Sequence, residues 1–134
     1  MNNRILKFWE PNAPSFEERF KSLKHAYKKG FQASVSCEPY LDNKVEETYR
    51  KLRPFISESF WIGQCSSMTH YVSINTKRNP VAYIRAEKLM RTLYTDEFVK
   101  YLYSRLGREP LVRWKGGCKK ILGLRRSTRP GLNR

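Results

Sequence analysis

The sequence has few cysteines and no long apolar run. Its three cysteines, Cys37, Cys65 and Cys118, are odd in number and far apart, so they form neither a disulfide framework nor a CxxC metal site. No stretch approaches the roughly 18 apolar residues that a membrane-spanning helix needs. The start, MNNRILKFWEP, has neither the apolar segment nor the cleavage site of a secretory leader. We therefore expect a reducing, cytoplasmic location and no membrane partner.

Acidic residues are also scarce. The chain has 27 Lys and Arg against 12 Asp and Glu, a net charge of +15, and no acid follows Pro110. A field of that sign attracts phosphate backbones or anionic lipid. The alternative is a solvated basic surface that ends in a basic tail at 125–134. The basic C-terminal region is therefore a candidate nucleic-acid contact, although it lacks the basic and aromatic alternation of a dedicated module.

What is present is enough for one folded domain. The 134 residues are 40% hydrophobic and 13% aromatic, which is typical of a globular chain with a modest core. Ser15 followed by Glu18 is a capping box, and Gly30 lies where a helix would end. This pattern predicts an amphipathic helix over 16–29 with a lysine-rich outer face.

Strands and helices then alternate. The polarity of FQASVS (31–36) alternates as in a strand. A helix capped by Asp42 and stopping before Pro54 follows, and SFWIGQ (59–64) is the next strand. Helix, strand, helix, strand with short links is typical of parallel α/β units with right-handed crossovers.

The second half is predicted to be mostly helical. In order, we expect a polar loop, two helices, a short strand and a short helix, at 65–79, 80–93, 95–107, 111–114 and 118–124. RILKFW (4–9) is counted as one more strand. Such a small parallel sheet is unusual, because parallel sheets normally have more strands and are covered on both faces. We therefore expect either a partner that supplies strands or a shortened gene.

Four motifs occur in a familiar order. They are the EPNAPS turn, the ER helix ending in Lys-Gly, the strand ending in SCEPYLD and the WIG strand. In this succession the chain resembles the C-terminal half of radical S-adenosylmethionine enzymes, and within them the spore photoproduct lyase-like or DNA-repair-photolyase-like branch. The resemblance covers most of 7–64 and, more weakly, 80–124. It implies an α/β fold: a partial (β/α) barrel over 1–124, with few parallel strands covered by helices.

The resemblance also implies two cofactors, S-adenosylmethionine and a [4Fe–4S] cluster, which together generate a 5′-deoxyadenosyl radical. The family's cluster motif, C-x3-C-x2-C, has no counterpart in this sequence, and neither has its glycine-rich cofactor segment. The three separate cysteines cannot replace the motif, because cluster thiolates must converge. The resemblance therefore leaves the catalytic residues unknown and gives no metal ligand here, and it implies a C-terminal portion that is inactive alone.

Three interpretations follow from these observations. The first is a radical S-adenosylmethionine protein portion that needs its N-terminal half, supplied by a separate chain. The second is a small basic nucleic-acid-binding protein without enzymatic activity, which binds through the basic C-terminal region. The third is a remnant that folds poorly because its sheet edge is uncovered.

Strand polarity and the resemblance single out Ser36 and Glu38. If Phe31 and Val35 face the helices, then Ser34, Ser36 and Glu38 point to the interior of a barrel, where ligands bind at the ends of the strands. The alternative is a solvent-exposed strand end. Both residues are candidate cofactor-binding residues.

Four further cofactor-binding candidates come from the resemblance. Glu10 lies in the EPNAPS turn, where it would bond a ribose hydroxyl or hold the loop. Arg19 occupies the ER position, where it would reach a cofactor or substrate carboxylate or form a surface ion pair. Gly63 and Gln64 end a strand that approaches the adenine in the family, although Gly63 also suits close packing alone.

Two of the cysteines and both histidines are assigned no ligand or catalytic role. Cys37 is expected to be small and buried, pointing away from the serine row. Cys118 has basic neighbours that would lower its pKa, but no partner base. His25 and His70 are expected to be solvated, so zinc and Cys-His chemistry have little support.

Overall fold

The computed structural model describes residues 2–126 of the chain, so the expected tail at 125–134 lies outside it apart from two residues. These residues form three strands and seven α-helices. In chain order they are α1 (Asn3–Trp9), α2 (Phe16–Lys28), β1 (Ser34–Cys37), α3 (Val45–Leu52), β2 (Ser59–Ile62), α4 (Met68–Asn75), α5 (Pro80–Thr92), α6 (Asp96–Leu106), β3 (Val112–Trp114) and α7 (Gly116–Ile121). The predicted α/β class and the mostly helical second half are confirmed.

Capping residues set the ends of the long helices. The Ser15 hydroxyl accepts from the Glu18 N–H, and the Glu18 carboxylate accepts from the Ser15 N–H at 2.7 Å, so the predicted capping box is present. Gly30, just beyond α2, has a φ of 75°, which favours glycine. The Thr95 hydroxyl accepts from the Phe98 N–H and caps α6. The three longest helices therefore lie where the sequence predicts them.

The three strands form an open parallel sheet in the order β1-β2-β3. Phe60, in the central strand, is paired with Val35 on one side and Val112 on the other. Each crossover moves one strand further in the same direction. Right-handed crossovers of this kind place all connecting helices on one face of the sheet.

Aromatic contacts identify the covered face. The ring of Tyr49 in α3 packs 5.2 Å from the ring of Phe60, and Tyr103 in α6 packs 5.6 Å from Trp114, measured between centroids. Six strand side chains alternate onto this face, and all except the half-buried Val35 are buried: Val35, Cys37, Phe60, Ile62, Val112 and Trp114. They form the core together with the apolar sides of α2, α3 and α6.

Two predicted elements are wrong. RILKFW is not a strand but most of α1, whose first turn is capped by the Asn2 side chain. The expected loop at 65–79 contains α4, in which Met68 and Val72 are buried four residues apart. Short or polar segments give a weak periodicity signal, and here tertiary packing against neighbouring helices decides the structure.

Two details of the first half also differ from expectation. Strand β1 starts at Ser34 rather than Phe31, and Phe31 is 64% exposed instead of facing the helices. Asp42 does not cap α3 directly. Its carboxylate accepts from the N–H groups of Asn2 and Lys44, which fixes the loop before the helix.

Over residues 2–126, no helix is long and apolar enough to cross a membrane.

Glu46 joins α3 to α6. Its carboxylate accepts from Arg105 at 3.0 and 3.1 Å and from Arg50 at 2.9 and 3.1 Å. These hydrogen bonds, first from Arg105 and then from Arg50, lower the pKa of Glu46 below its ordinary value of 4.5. The pKa of Glu46 is therefore lower in the folded than in the unfolded state. Its ion pairs stabilise the fold fully at pH values above the unfolded-state pKa, and this stabilisation disappears as the pH falls through the folded-state pKa.

We expect Glu46→Gln to reduce the free energy of unfolding at pH 7 by roughly 1 kcal/mol, since the pairs are partly exposed. Urea denaturation at pH 7 and at a pH well below the folded-state pKa measures the effect, which should shrink in acid. Glu47→Gln is the matched control, because Glu47 is 68% exposed and, among residues 2–126, forms a salt bridge with Lys44 alone. If Glu46→Gln lowers the free energy of unfolding equally at both pH values, the stabilisation does not come from the ionised carboxylate.

Candidate functional site

The second face of the sheet is polar and exposed, and we call it the open face. Ser34, Ser36 and Arg113 are exposed, and Trp61 is half-buried. The strand register aligns its side chains in rows across the sheet. The open face consists of Ser34, Ser36 and Glu38, then Ser59, Trp61 and Gly63, then Arg113 and Lys115. A parallel sheet with a polar exposed face is uncommon, which makes this face the candidate site.

The amino end of the open face is a hydroxyl cluster. The hydroxyl oxygens of Ser34 and Ser59 lie 2.9 Å apart, and Ser34 donates to the Glu58 carboxylate at 3.1 Å. In the next row Trp61 stands beside Arg113, whose guanidinium donates to the Pro110 carbonyl at 2.6 Å. These bonds hold polar groups at the surface without burying them.

The carboxyl end carries an ion pair. Lys115 Nζ lies 2.9 Å from Glu38 Oε2, with a quarter and a third of the two side chains exposed. The same Nζ lies 5.2 Å from the centroid of the Trp61 ring, within reach of a cation–π interaction. A carboxylate, an ammonium group and an indole therefore meet at the end of the strands, where parallel sheets bind ligands.

Gly63 lies directly beneath this ion pair. A Cβ at that position would come 2.8 Å from Glu38 Oε1 and 2.8 Å from Lys115 Cγ. Its N–H donates to the Cys37 carbonyl at 3.1 Å, and its carbonyl accepts from the Tyr40 N–H at 3.2 Å. Glycine therefore allows the close approach of these neighbouring side chains.

Gln64 is directed away from the open face. The hydroxyl of the fully buried Tyr40 donates to Gln64 Oε1 at 3.3 Å and lies 3.1 Å from the Leu93 carbonyl oxygen. Gln64 therefore joins the covered side of the sheet, although Gly63, its neighbour in sequence, belongs to the open face.

Glu10 and Arg19 form an ion pair with each other. Arg19 also donates to the Pro14 carbonyl at 2.9 Å, which ties α2 to the preceding turn. Arg19 and Ser36 both line a cavity of about 110 Å³ between α2 and β1. The structure thus pairs Glu10 with Arg19 and places Arg19 beside Ser36, while Glu38 pairs with Lys115 and Gln64 contacts Tyr40.

The cysteines do not fit an iron–sulfur cluster. Cys37 is buried, as predicted, and burial raises the pKa of its thiol to about 12. Burial also raises the pKa of Cys118 to about 11, so the expected lowering by its basic neighbours is wrong. Within residues 2–126, no three Cys, His, Asp or Glu side chains are grouped to hold a metal ion. His25 and His70 are exposed, as predicted.

Sequence reasoning missed four residues of the open face, which are Ser59, Trp61, Arg113 and Lys115. Alternation along SFWIGQ places Trp61 and Gly63 on one face, and alternation beyond LVRW does the same for Arg113 and Lys115. That signal was available in each strand alone. Their meeting with Glu38 depends on the register between strands, which no single segment contains.

We expect Gly63→Ala to reduce the free energy of unfolding by about 1–2 kcal/mol, because the new methyl group overpacks the Glu38–Lys115 pair. Chemical denaturation measures this cost, which should fall when Glu38→Ala is already present, in a double-mutant cycle. Gly117→Ala is the control: its Cβ would meet only Gln64, at 3.8 Å. Equal costs with and without Glu38 would show that the pair is not the obstacle.

No family model, curated protein or solved structure matches the chain. A functional conclusion therefore has to come from the site itself.

Proposed function

We propose that this chain is the C-terminal portion of a radical S-adenosylmethionine protein, inactive unless a second portion supplies the [4Fe–4S] cluster. In this proposal the open face lines the interior of a (β/α) barrel. Two things support it: the motif resemblance over 7–64, and the polar, exposed face of a parallel sheet wound in one direction. The second is the observation that carries the proposal.

The geometry supports a barrel segment for a simple reason. In a (β/α) barrel, each crossover advances by one strand, helices cover the outside, and the inner faces of the strands meet in the centre. The sheet order, the one covered face and the open face are what three consecutive strands of such a barrel would have. Ligand-binding groups belong at the carboxyl ends, where Glu38 and Lys115 lie.

Of the two implied cofactors, the residues of this chain fit one. Gly63 leaves room for Glu38 and Lys115 directly above the backbone, and the Glu38 carboxylate is a natural acceptor for ribose hydroxyls. Ser36 offers a hydroxyl beside them. S-adenosylmethionine would supply the 5′-deoxyadenosyl group, and these residues would hold and orient it. The buried thiols do not fit the cluster, so no catalytic step is assigned to this chain.

The test is co-expression with a polypeptide that carries C-x3-C-x2-C, encoded in the reading frame immediately upstream. After anaerobic reconstitution we expect a brown, iron-containing complex that copurifies with this chain and binds S-adenosylmethionine. Glu38→Ala should weaken that binding about tenfold, which corresponds to about 1.4 kcal/mol.

The matched control is Glu47→Gln, which removes an exposed carboxylate from the outer surface of α3 and should leave the affinity unchanged. If no upstream frame carries the motif, or if the two polypeptides never associate, the proposed function fails.

A second candidate, nucleic-acid binding, is favoured by one specific observation. The Lys115 ammonium group lies 5.2 Å from the ring of the half-buried Trp61, and Arg113 is the register partner of Trp61 on the neighbouring strand. Bases stack on such rings, and cations beside them contact phosphates. The chain's net charge of +15 also favours contact with the phosphate backbone of a nucleic acid.

If this second function holds, the purified chain binds single-stranded oligodeoxythymidine, and the logarithm of the affinity falls linearly with the logarithm of salt concentration. We expect Trp61→Ala to weaken binding about tenfold with an unchanged salt slope, since stacking is lost. Arg113→Gln should reduce the slope by about one. Fluorescence anisotropy measures both, and Trp61→Phe should retain most of the affinity. A flat salt response, or no effect at Trp61, would exclude this function.

A further inference from the structure

A long groove, which we call the α1 groove, runs between α1 on one side and α4 and α5 on the other. It consists of two adjoining cavities of about 780 and 330 Å³, which share Phe8, Trp9 and Leu41. Both volumes lie in the range of small-molecule pockets. No lining residue of the α1 groove belongs to the open face, so the groove is a separate feature.

The larger cavity is mostly apolar. Its wall is made mainly by aromatic and aliphatic side chains, including Phe8, Trp9, Leu41, Met68, Tyr71 and Val72. Tyr71 is 54% exposed and Val81, also in the wall, is 53% exposed. Apolar area of this kind is costly in water and becomes favourable when a ligand covers it. The single charged side chain of this wall is Glu10, which Arg19 neutralises.

The smaller cavity is basic at its rim. Arg4, Arg85 and Lys88 line it and no acidic side chain does. None of the three forms a salt bridge with another residue in the part of the chain that the structure describes. The Arg85 guanidinium lies 4.0 Å from the centroid of the Phe8 ring, so it stacks on the groove's apolar floor.

The arrangement has a clear chemical polarity. Three cations in a cavity that no acidic side chain lines attract an anion. The planar guanidinium of arginine favours a carboxylate that accepts two N–H bonds. From these cations in the smaller cavity, the apolar wall continues along Phe8 and Trp9 into the larger cavity. A matching ligand is therefore elongated, apolar over most of its length and anionic at one end.

We infer that the α1 groove binds a free amphiphilic anion, a single hydrocarbon chain that ends in a carboxylate. The carboxylate lies between Arg4, Arg85 and Lys88, and the chain packs along Phe8 and Trp9. Cavities of about 780 and 330 Å³ enclose enough apolar surface for a single hydrocarbon chain, so a free chain is the occupant that we assign. The inference is independent of the proposed function.

The test titrates the full chain with octanoate, decanoate and dodecanoate, each below its micelle concentration, by isothermal calorimetry. We expect one site, with affinity rising up to about fourfold for each added methylene. Decanol should bind more weakly than decanoate, and inorganic phosphate should not bind. Anionic vesicles are the remaining probe: binding to vesicles without binding to free decanoate overturns the inference in favour of a membrane surface.

Variants separate the two ends of the groove. Arg85→Gln with Lys88→Gln should weaken decanoate binding about tenfold and leave decanol unchanged. Lys28→Gln with Lys29→Gln removes the same charge from the exposed end of α2 and should change neither. Circular dichroism confirms that each variant is folded. Decanoate affinity that is unchanged in the first pair, or equally reduced in the second, would overturn the inference.

A brominated fatty acid locates the part of the groove that binds the hydrocarbon chain. Because Trp9 lines both cavities, bromodecanoate should quench part of the tryptophan fluorescence of the chain, and Trp9→Phe should abolish that part. If the same quenching persists in Trp9→Phe, the hydrocarbon chain of the ligand binds elsewhere, and the assignment to the α1 groove is overturned.

Discussion

The winding of the chain is the constraint on which the other features depend. The strands are parallel and follow one another in sequence order. With the right-handed crossovers that parallel strands almost always have, the connecting helices collect on one side. That side receives Phe60, Ile62 and Trp114, and the apolar faces of α3 and α6 pack on it. The polar alternate residues are left on the other side as a direct consequence. The open face is therefore produced by topology and by a two-residue alternation together.

Much of this arrangement is readable from local sequence. The capping box at Ser15 and Glu18 and the Thr95 cap define helices that the structure reproduces. Alternation in SVSC separates Ser36 from Cys37 correctly, so the buried thiol and the exposed hydroxyl are both predictable. These signals work because each depends on residues within one turn or one strand.

What the sequence could not supply depends on longer distances. Lys115 meets Glu38 only because β3 is in register with β2, and β2 with β1. Helix α4 forms in a polar stretch because Met68 and Val72 are buried, and burial is a property of the fold and not of the segment. The orientation of Gln64 also depends on the fold, because its hydrogen-bond partner Tyr40 lies 24 residues away in the sequence.

The lengths of the two outer strands also have a consequence. Strand β1 has four residues and β3 has three, and each leaves one row of backbone groups at an edge of the described sheet. So short an edge offers few main-chain hydrogen bonds to an added strand. Any polypeptide that extends this sheet would therefore derive little affinity or selectivity from strand pairing. Side chains would have to provide both, which makes recognition of such a partner a matter of surface chemistry.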